Sequence, residues 1–177
     1  LEVPVDSRLL SYTAALRLRS GRLPHPGHGH IFLGGPGPVL AYQIGQEESR
    51  LCFDLPDACH PRELPELLAQ DYLGRLPEPL RGEVRRALQE EPAELVATHA
   101  MRAGRAVVDG MALVGDAGAC AHPLTAGGMT LCLNDVQLLQ RGLAQGGVEG
   151  ALRGYERARA PMLSARIALT DALYEIF

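Results

Sequence analysis

A chain of 177 residues has room for one domain, or two partial ones, around an adequate core. Its 46% hydrophobic and 21% charged content is that of a soluble globular protein, and no apolar run is long enough to span a bilayer. A net charge of −4 without any basic stripe argues against a nucleic-acid surface.

Residues Leu9 to Leu18 read as a strand cut from its sheet partners. Leu23 to Gly29 is a loop rich in Pro, Gly and His. Three short strands follow, His30–Leu33, Val39–Ile44 and Arg50–Leu55, separated by Gly34-Gly35-Pro36-Gly37-Pro38 and Gly45-Gln46-Glu47-Glu48. This spacing predicts an antiparallel meander, with Leu51, Phe53 and Leu55 on one apolar face. Leu64, Leu67 and Leu68 make one helical face, and Leu80, Val84 and Leu88 another beyond the break at Pro77 and Pro79. Glu94 to Met101 reads as a strand or extended crossover. Gly104–Val108 and Met111–Val114 read as paired strands joined at Asp109-Gly110. A helix from Gly128 to Leu143 carries Met129, Cys132, Leu133, Val136 and Leu139 on its expected inner face and stops near Gly146-Gly147. Two closing helices are expected at Val148–Ala160 and Pro161–Phe177, with Pro161 in the first turn of the second.

The most informative run is Gly115 to Met129, GDAGACAHPLTAGGM. A strand ending in Gly-Asp can present Asp116 to a sugar hydroxyl at the carboxyl edge of a sheet. The next helix opens at Gly127 and Gly128, where bare N–H groups and the positive end of the dipole face outward. That suits a ring gaining negative charge on reduction, as a flavin does at N1 and the C2 carbonyl. On these residues alone, an ordinary strand–loop–helix with a tight glycine turn is an equal reading.

The run GDAxxxxHPLTxGGM resembles the second flavin-binding motif of squalene epoxidases, also called squalene monooxygenases. The stretch LPHPGHGHIFLGGPGPVLAYQIGQEESRLCFDLP from Leu23 is similar to that family's strand-rich middle section. The ending YERARAPMLSARIALTDALYEIF is similar to its closing helical pair, and order and spacing agree from about Ser11 to Phe177. Three positions depart: Ala126 stands for the first of three glycines, Ala121 for an arginine before His122, and Asn134 for a serine.

The resemblance implies an α/β (α+β) chain: part of an FAD-dependent hydroxylase-like fold, with an antiparallel substrate-domain sheet, the second half of a Rossmann-type FAD domain and C-terminal helices. Residues 1–103 would belong to the substrate domain, 104–146 to the FAD domain and 147–177 to the helical pair. The implied activity is epoxidation of squalene or a related polyprenoid by O2 through a flavin C4a-hydroperoxide, with NADPH the ultimate electron source, directly or through a flavin reductase. Gly115, Asp116, Ala117, Pro123, Thr125, Gly127, Gly128 and Met129 would bind FAD. Asp116 would take the ribityl chain, Gly127, Gly128 and Met129 the pyrimidine edge, and Pro123, Leu124 and Thr125 would shape the wall beside the ring. The expected partners are a hydrophobic small molecule and the N-terminal part of the same enzyme. A flavin hydroxylase or reductase acting on another lipid or polyketide is the alternative, or a remnant without working FAD.

The βαβ fingerprint G-x-G-x-x-G that holds the ADP half of FAD does not occur: Gly27-His28-Gly29 and Gly35-Pro36-Gly37 both lack the third glycine. Together with a start at Leu1, this reads as the C-terminal part of a longer enzyme. His25, His28 and His30 lack a nearby Cys, Asp or Glu that would complete a metal ligand set, so loop histidines and no metal are expected. Ser11, Ser20, Ser49 and Ser164 have no nucleophile-elbow context. Cys52, Cys59, Cys120 and Cys132 read as buried reduced thiols of a cytoplasmic protein. Arg157 and Arg159 are expected in solvent or paired with Glu156. The tip Tyr174, Ile176 and Phe177 reads as core packing, with a peripheral membrane edge as the functional alternative.

Overall fold

The computed structural model describes residues 3–19 and 23–176, so Ser20 and Phe177 lie outside the described residues. The chain divides into two compact units, one formed by Leu10–Thr98 and the other by His99–Ile176 with the segment before Leu10.

In the first unit, β1 (Val5–Leu18, whose beginning belongs to the other unit) and the meander of β2 (His30–Phe32), β3 (Val39–Gln43) and β4 (Ser49–Leu55) pair antiparallel. Strand β1 does have partners: Tyr12 faces Leu55 and Leu18 faces Ser49 across the ladder with β4. It also neighbours β5 (Glu94–Ala103), and Thr13 and Thr98 share a hydroxyl hydrogen bond of 2.8 Å. Local sequence cannot report pairing over so long a separation, which is why the strand reads as isolated.

Period-two alternation places Ala14, Leu16 and Leu18 of β1, Val39 and Ala41 of β3, and Leu51, Phe53 and Leu55 of β4 in one buried cluster. Helical residues cover it. A single turn α1 (Leu64–Leu67) widens into a π-helical turn (Leu68–Tyr72), tightens to a 3-10 turn (Leu73–Arg75) and leads to α2 (Glu78–Glu90). Helix α2 begins after Pro77, with Pro79 in its first turn where a missing N–H costs nothing. Leu64, Leu68, Tyr72, Leu80 and Val84 supply the buried face. The Tyr72 ring meets Phe53 edge-on at 5.7 Å while its hydroxyl donates to the Asp54 carbonyl at 2.6 Å. Ser11 Oγ donates to the buried Asp54 carboxylate at 2.6 Å.

In the second unit, the end of β5 pairs with β8 (Ala119–Cys120), Met101 opposite Cys120. Strands β6 (Val107–Val108) and β7 (Met111–Ala112) form the expected hairpin. Its turn residues Asp109 (φ 48) and Gly110 (φ 78) both take the left-handed conformation that such a two-residue turn requires. Helix α3 (Gly128–Ile176) consists of two arms, because Gly146 and Gly147 leave helical geometry. The arms touch where Gly142 lies against Ala151: a Cβ at Gly142 would stand 2.7 Å from the Ala151 Cα.

Three expectations are corrected here. The second arm runs through Pro161 without ending, so the two closing helices are one. The first arm buries Leu131 and Asp135, whereas Met129, Leu133 and Val136 are exposed by 80%, 65% and 50% and Cys132 is exposed. An apolar count selects that wrong face because the buried stripe carries a carboxylate. The cysteines are free thiols but not buried: Cys52, Cys59 and Cys120 are partly exposed.

Candidate functional site

The turn after β7 starts at Gly115, which is buried and left-handed (φ 58), and continues as a 3-10 turn through Ala117. A buried ion pair holds this glycine from both sides. The Gly115 N–H donates to Asp135 Oδ2 at 2.8 Å, and Arg159 Nη2 donates to the Gly115 carbonyl at 3.0 Å. Arg159 Nε in turn donates to both Asp135 oxygens at 3.1 and 3.0 Å, with the two residues only 2% and 0% exposed. Arg159 is therefore neither solvated nor paired with Glu156. Glu156 meets Arg105 at 3.3 Å, and that hydrogen bond holds its carboxyl below the ordinary range. Tyr155, one helical turn before Arg159, donates to the Leu113 carbonyl at 2.6 Å, and burial pushes its phenol well up.

With Gly115 held inward, Asp116 and Ala117 face solvent. A Cβ at Gly128 would stand 3.1 and 3.4 Å from the two Asp116 carboxylate oxygens, so the carboxylate lies against the opening turn of α3. The Leu131 N–H donates to Gly127 O at 3.0 Å, leaving the N–H groups of Gly128, Met129 and Thr130 ahead of the first intrahelical bond. Between these features the chain makes a second 3-10 turn, Pro123–Thr125. His122 caps it: its Nδ1 accepts from Leu124 N–H at 3.2 Å, its ring is buried, and Tyr174 packs on it at 4.5 Å. Thr125 meets Thr170 at 3.4 Å, tying the loop to the second arm of α3.

Asp116, Pro123, Thr125, Gly127 and Gly128 come together around one cleft of about 150 Å3, joined by Cys120, His122 and Arg166. Gly115, Ala117, Leu124 and Met129 are not among its lining residues. Arg166 presses its guanidinium against Gly127, which has no side chain to exclude it. Asp135 and Arg166 are absent from the sequence reading, where Arg159 stands only as a surface charge. The available signal for the first is its spacing, four residues after Leu131 and four before Leu139, which puts Asp135 on the same helical face as those leucines.

Elsewhere, the His25 and His30 rings stack at 5.9 Å and His30 Nε2 accepts the His25 N–H at 3.1 Å. Among the described residues no group of three or more His, Cys, Asp or Glu side chains is placed to hold a metal ion.

A family model described as squalene epoxidase matches residues 4–177. The chain belongs to that family. It is 30% identical to Squalene epoxidase 3 of Arabidopsis thaliana over 92% of its own length and 33% of the relative's. It is 32% identical to a squalene monooxygenase of Eremothecium gossypii over 97% of its length and 36% of that protein. The chain thus spans about a third of the curated relatives it matches. In fold it is similar to Klebsiella pneumoniae HpxO, solved with FAD and uric acid (TM-score 0.75, 22% identity, 94% of this chain and 44% of that one). It is also similar to Pseudomonas aeruginosa PqsL (TM-score 0.70, 21% identity, 99% of this chain and 49% of that one). The mixed α/β architecture with its antiparallel sheet is the fold it shares with these structures, PqsL being described as a probable FAD-dependent monooxygenase.

Proposed function

We propose that this chain is the C-terminal portion of an FAD-dependent monooxygenase of the squalene epoxidase type, which epoxidises an alkene of squalene or a related polyprenoid. The observation that carries the reading is the cleft where the exposed Asp116 carboxylate, the open first turn of α3 and the Pro123–Thr125 wall converge. These residues fit a flavin. Asp116 can accept from a ribityl hydroxyl, a charge-assisted bond of about 1.5–3 kcal/mol. The backbones of Gly127, Gly128 and Met129 are offered to the pyrimidine edge, with the Arg166 guanidinium lying against Gly127 beside them. When bound, FAD would supply the activation of dioxygen, with NADPH the ultimate electron source. The chain's own contribution is to orient the ring and, through Pro123 and Thr125 on the cleft wall, to keep water from it.

Residues 1–103, with the apolar-faced sheet of the first unit, are assigned to the substrate domain, residues 104–146 to the FAD domain and 147–177 to the helical end. The partners of this reading are a hydrophobic substrate, the N-terminal part of the enzyme and a flavin reductase, with peripheral contact to a membrane. No helix among the described residues is long and apolar enough to cross one. The test is the absorption spectrum of the full-length protein, with and without squalene, followed by product analysis under reducing, aerated conditions. Bound flavin, a spectral change on adding squalene, and an epoxide product are expected. A full-length protein without flavin would overturn the reading.

A further inference from the structure

We infer that Asp135 and Arg159 are positioning residues for flavin binding: the pair sets the backbone of Gly115 and so aims Asp116 at the ligand. The inference rests on the reading of the cleft as the FAD site. Its geometry is independent of any ligand. Gly115 is left-handed and both of its backbone polar groups meet the pair: its N–H donates to Asp135 Oδ2, and its carbonyl accepts from Arg159 Nη2 at 3.0 Å beside the 3.1 Å bond from the Gly118 N–H of its own turn. The turn also closes over the guanidinium from the other side, since a Cβ at Gly118 would stand 2.9 Å from Arg159 Nη2. The strand–turn junction is therefore wrapped around a charge supplied by the second arm of α3, with the counter-charge supplied by the first.

The direction of the Asp116 side chain follows from the Gly115 torsion, because the two residues are adjacent and belong to one 3-10 turn. A purely structural ion pair would stabilise the fold without caring where Asp116 points. A shape-matched apolar pair often serves stability equally well, so the retention of two buried charges here has a local use. Each makes a directional contact with Gly115 that no apolar side chain can make. Neither touches the cleft: the lining side of the turn is Asp116, not Gly115.

The experiment is a double-mutant cycle in the full-length protein, read by FAD titration and by thermal unfolding in parallel. Asp116→Ala and Arg159→Met are each expected to weaken FAD by roughly tenfold or more. The double variant is expected to bind no more weakly than Asp116→Ala alone, because Arg159 acts through Asp116. The loss of stability from Arg159→Met, in contrast, is expected to be the same in both backgrounds. Val84→Ala, a buried position of the first unit, controls for lost stability and is expected to leave FAD affinity unchanged. Additive losses of affinity, or an unaltered affinity in Arg159→Met beside a weakened Asp116→Ala, would overturn the positioning role alone. An unaltered affinity in Asp116→Ala would bring down the flavin site and this inference together. Should Arg159→Met not fold, Arg159→Lys takes its place in the cycle with the same outcomes expected. Its ammonium lacks the fixed fork of donors with which Arg159 holds the Asp135 carboxylate and the Gly115 carbonyl at once.

Discussion

Replacing Gly128 by Val is expected to weaken FAD binding far more than replacing Ala126 by Gly. The Cβ of residue 128 would stand 3.1 and 3.4 Å from the Asp116 oxygens, the first being tighter than ordinary contact. The two methyl groups of Val reach further, so the carboxylate must turn away from its place beside the helix opening. Losing its bond to a ribityl hydroxyl removes about 1.5–3 kcal/mol, which is roughly a 10- to 150-fold weaker affinity. At Ala126 the sign is reversed. Its φ of 47 is left-handed, a conformation that costs a residue with a Cβ about 1 kcal/mol, and Gly removes that strain while raising the entropy of the unfolded chain. Ala126→Gly is therefore expected to keep the parent affinity and hold or slightly raise stability. Flavin fluorescence titration of both full-length variants checks this. Equal affinities would refute a ligand held close to the backbone at Gly128.

Other expectations follow from the same geometry. Arg159→Met strands the Asp135 carboxylate, 0% exposed, with little beyond the Gly115 N–H; a loss of about 3–5 kcal/mol is expected in denaturant unfolding, against which a loss under about 1 would count. Tyr155 keeps its proton in the folded state above its ordinary value of 10.0, where the unfolded chain has released it, so stability falls as pH rises past that value. Tyr155→Phe should flatten that alkaline fall while giving up about 0.5–1.5 kcal/mol at neutral pH for the bond to Leu113, and an unchanged alkaline slope would contradict the assignment. The isolated 177-residue chain is expected to bind FAD weakly or not at all, because no glycine-rich βαβ turn is present for the pyrophosphate. Calorimetry with light scattering checks it, and micromolar or tighter binding by a monomer would be the contrary result.

What the sequence made legible is what local chemistry determines. The strands β2 to β4 fall within a residue or so of their expected ends, since period-two alternation and the Pro/Gly turns act over short range. The Asp109-Gly110 hairpin is legible because those residue types tolerate positive φ. The convergence of Asp116 with Pro123, Thr125, Gly127 and Gly128 is likewise local, a strand–turn–helix connection read along one run. Beyond it lies what periodicity cannot see. The inner face of α3 is misread because Asp135 interrupts its apolar stripe, and its partner Arg159 lies 24 residues on, across the break at Gly146 and Gly147. Arg159 reads as a surface charge because an arginine in sequence carries no sign of its burial. Pro161 reads as a helix start, although one lost hydrogen bond does not end a helix whose flanks pack, as Leu163 and Tyr155 do here.

The most direct test of the account is the flavin content of full-length Asp116→Ala, measured beside the parent protein after identical purification. Asp116 is the single charged side chain proposed to touch the ribityl chain, and it is exposed, so its loss leaves the core intact. The account predicts a folded variant that has lost most of its FAD and recovers it only at concentrations roughly 10- to 150-fold higher than the parent requires. A variant carrying the parent's full flavin, with the parent's affinity, would contradict it.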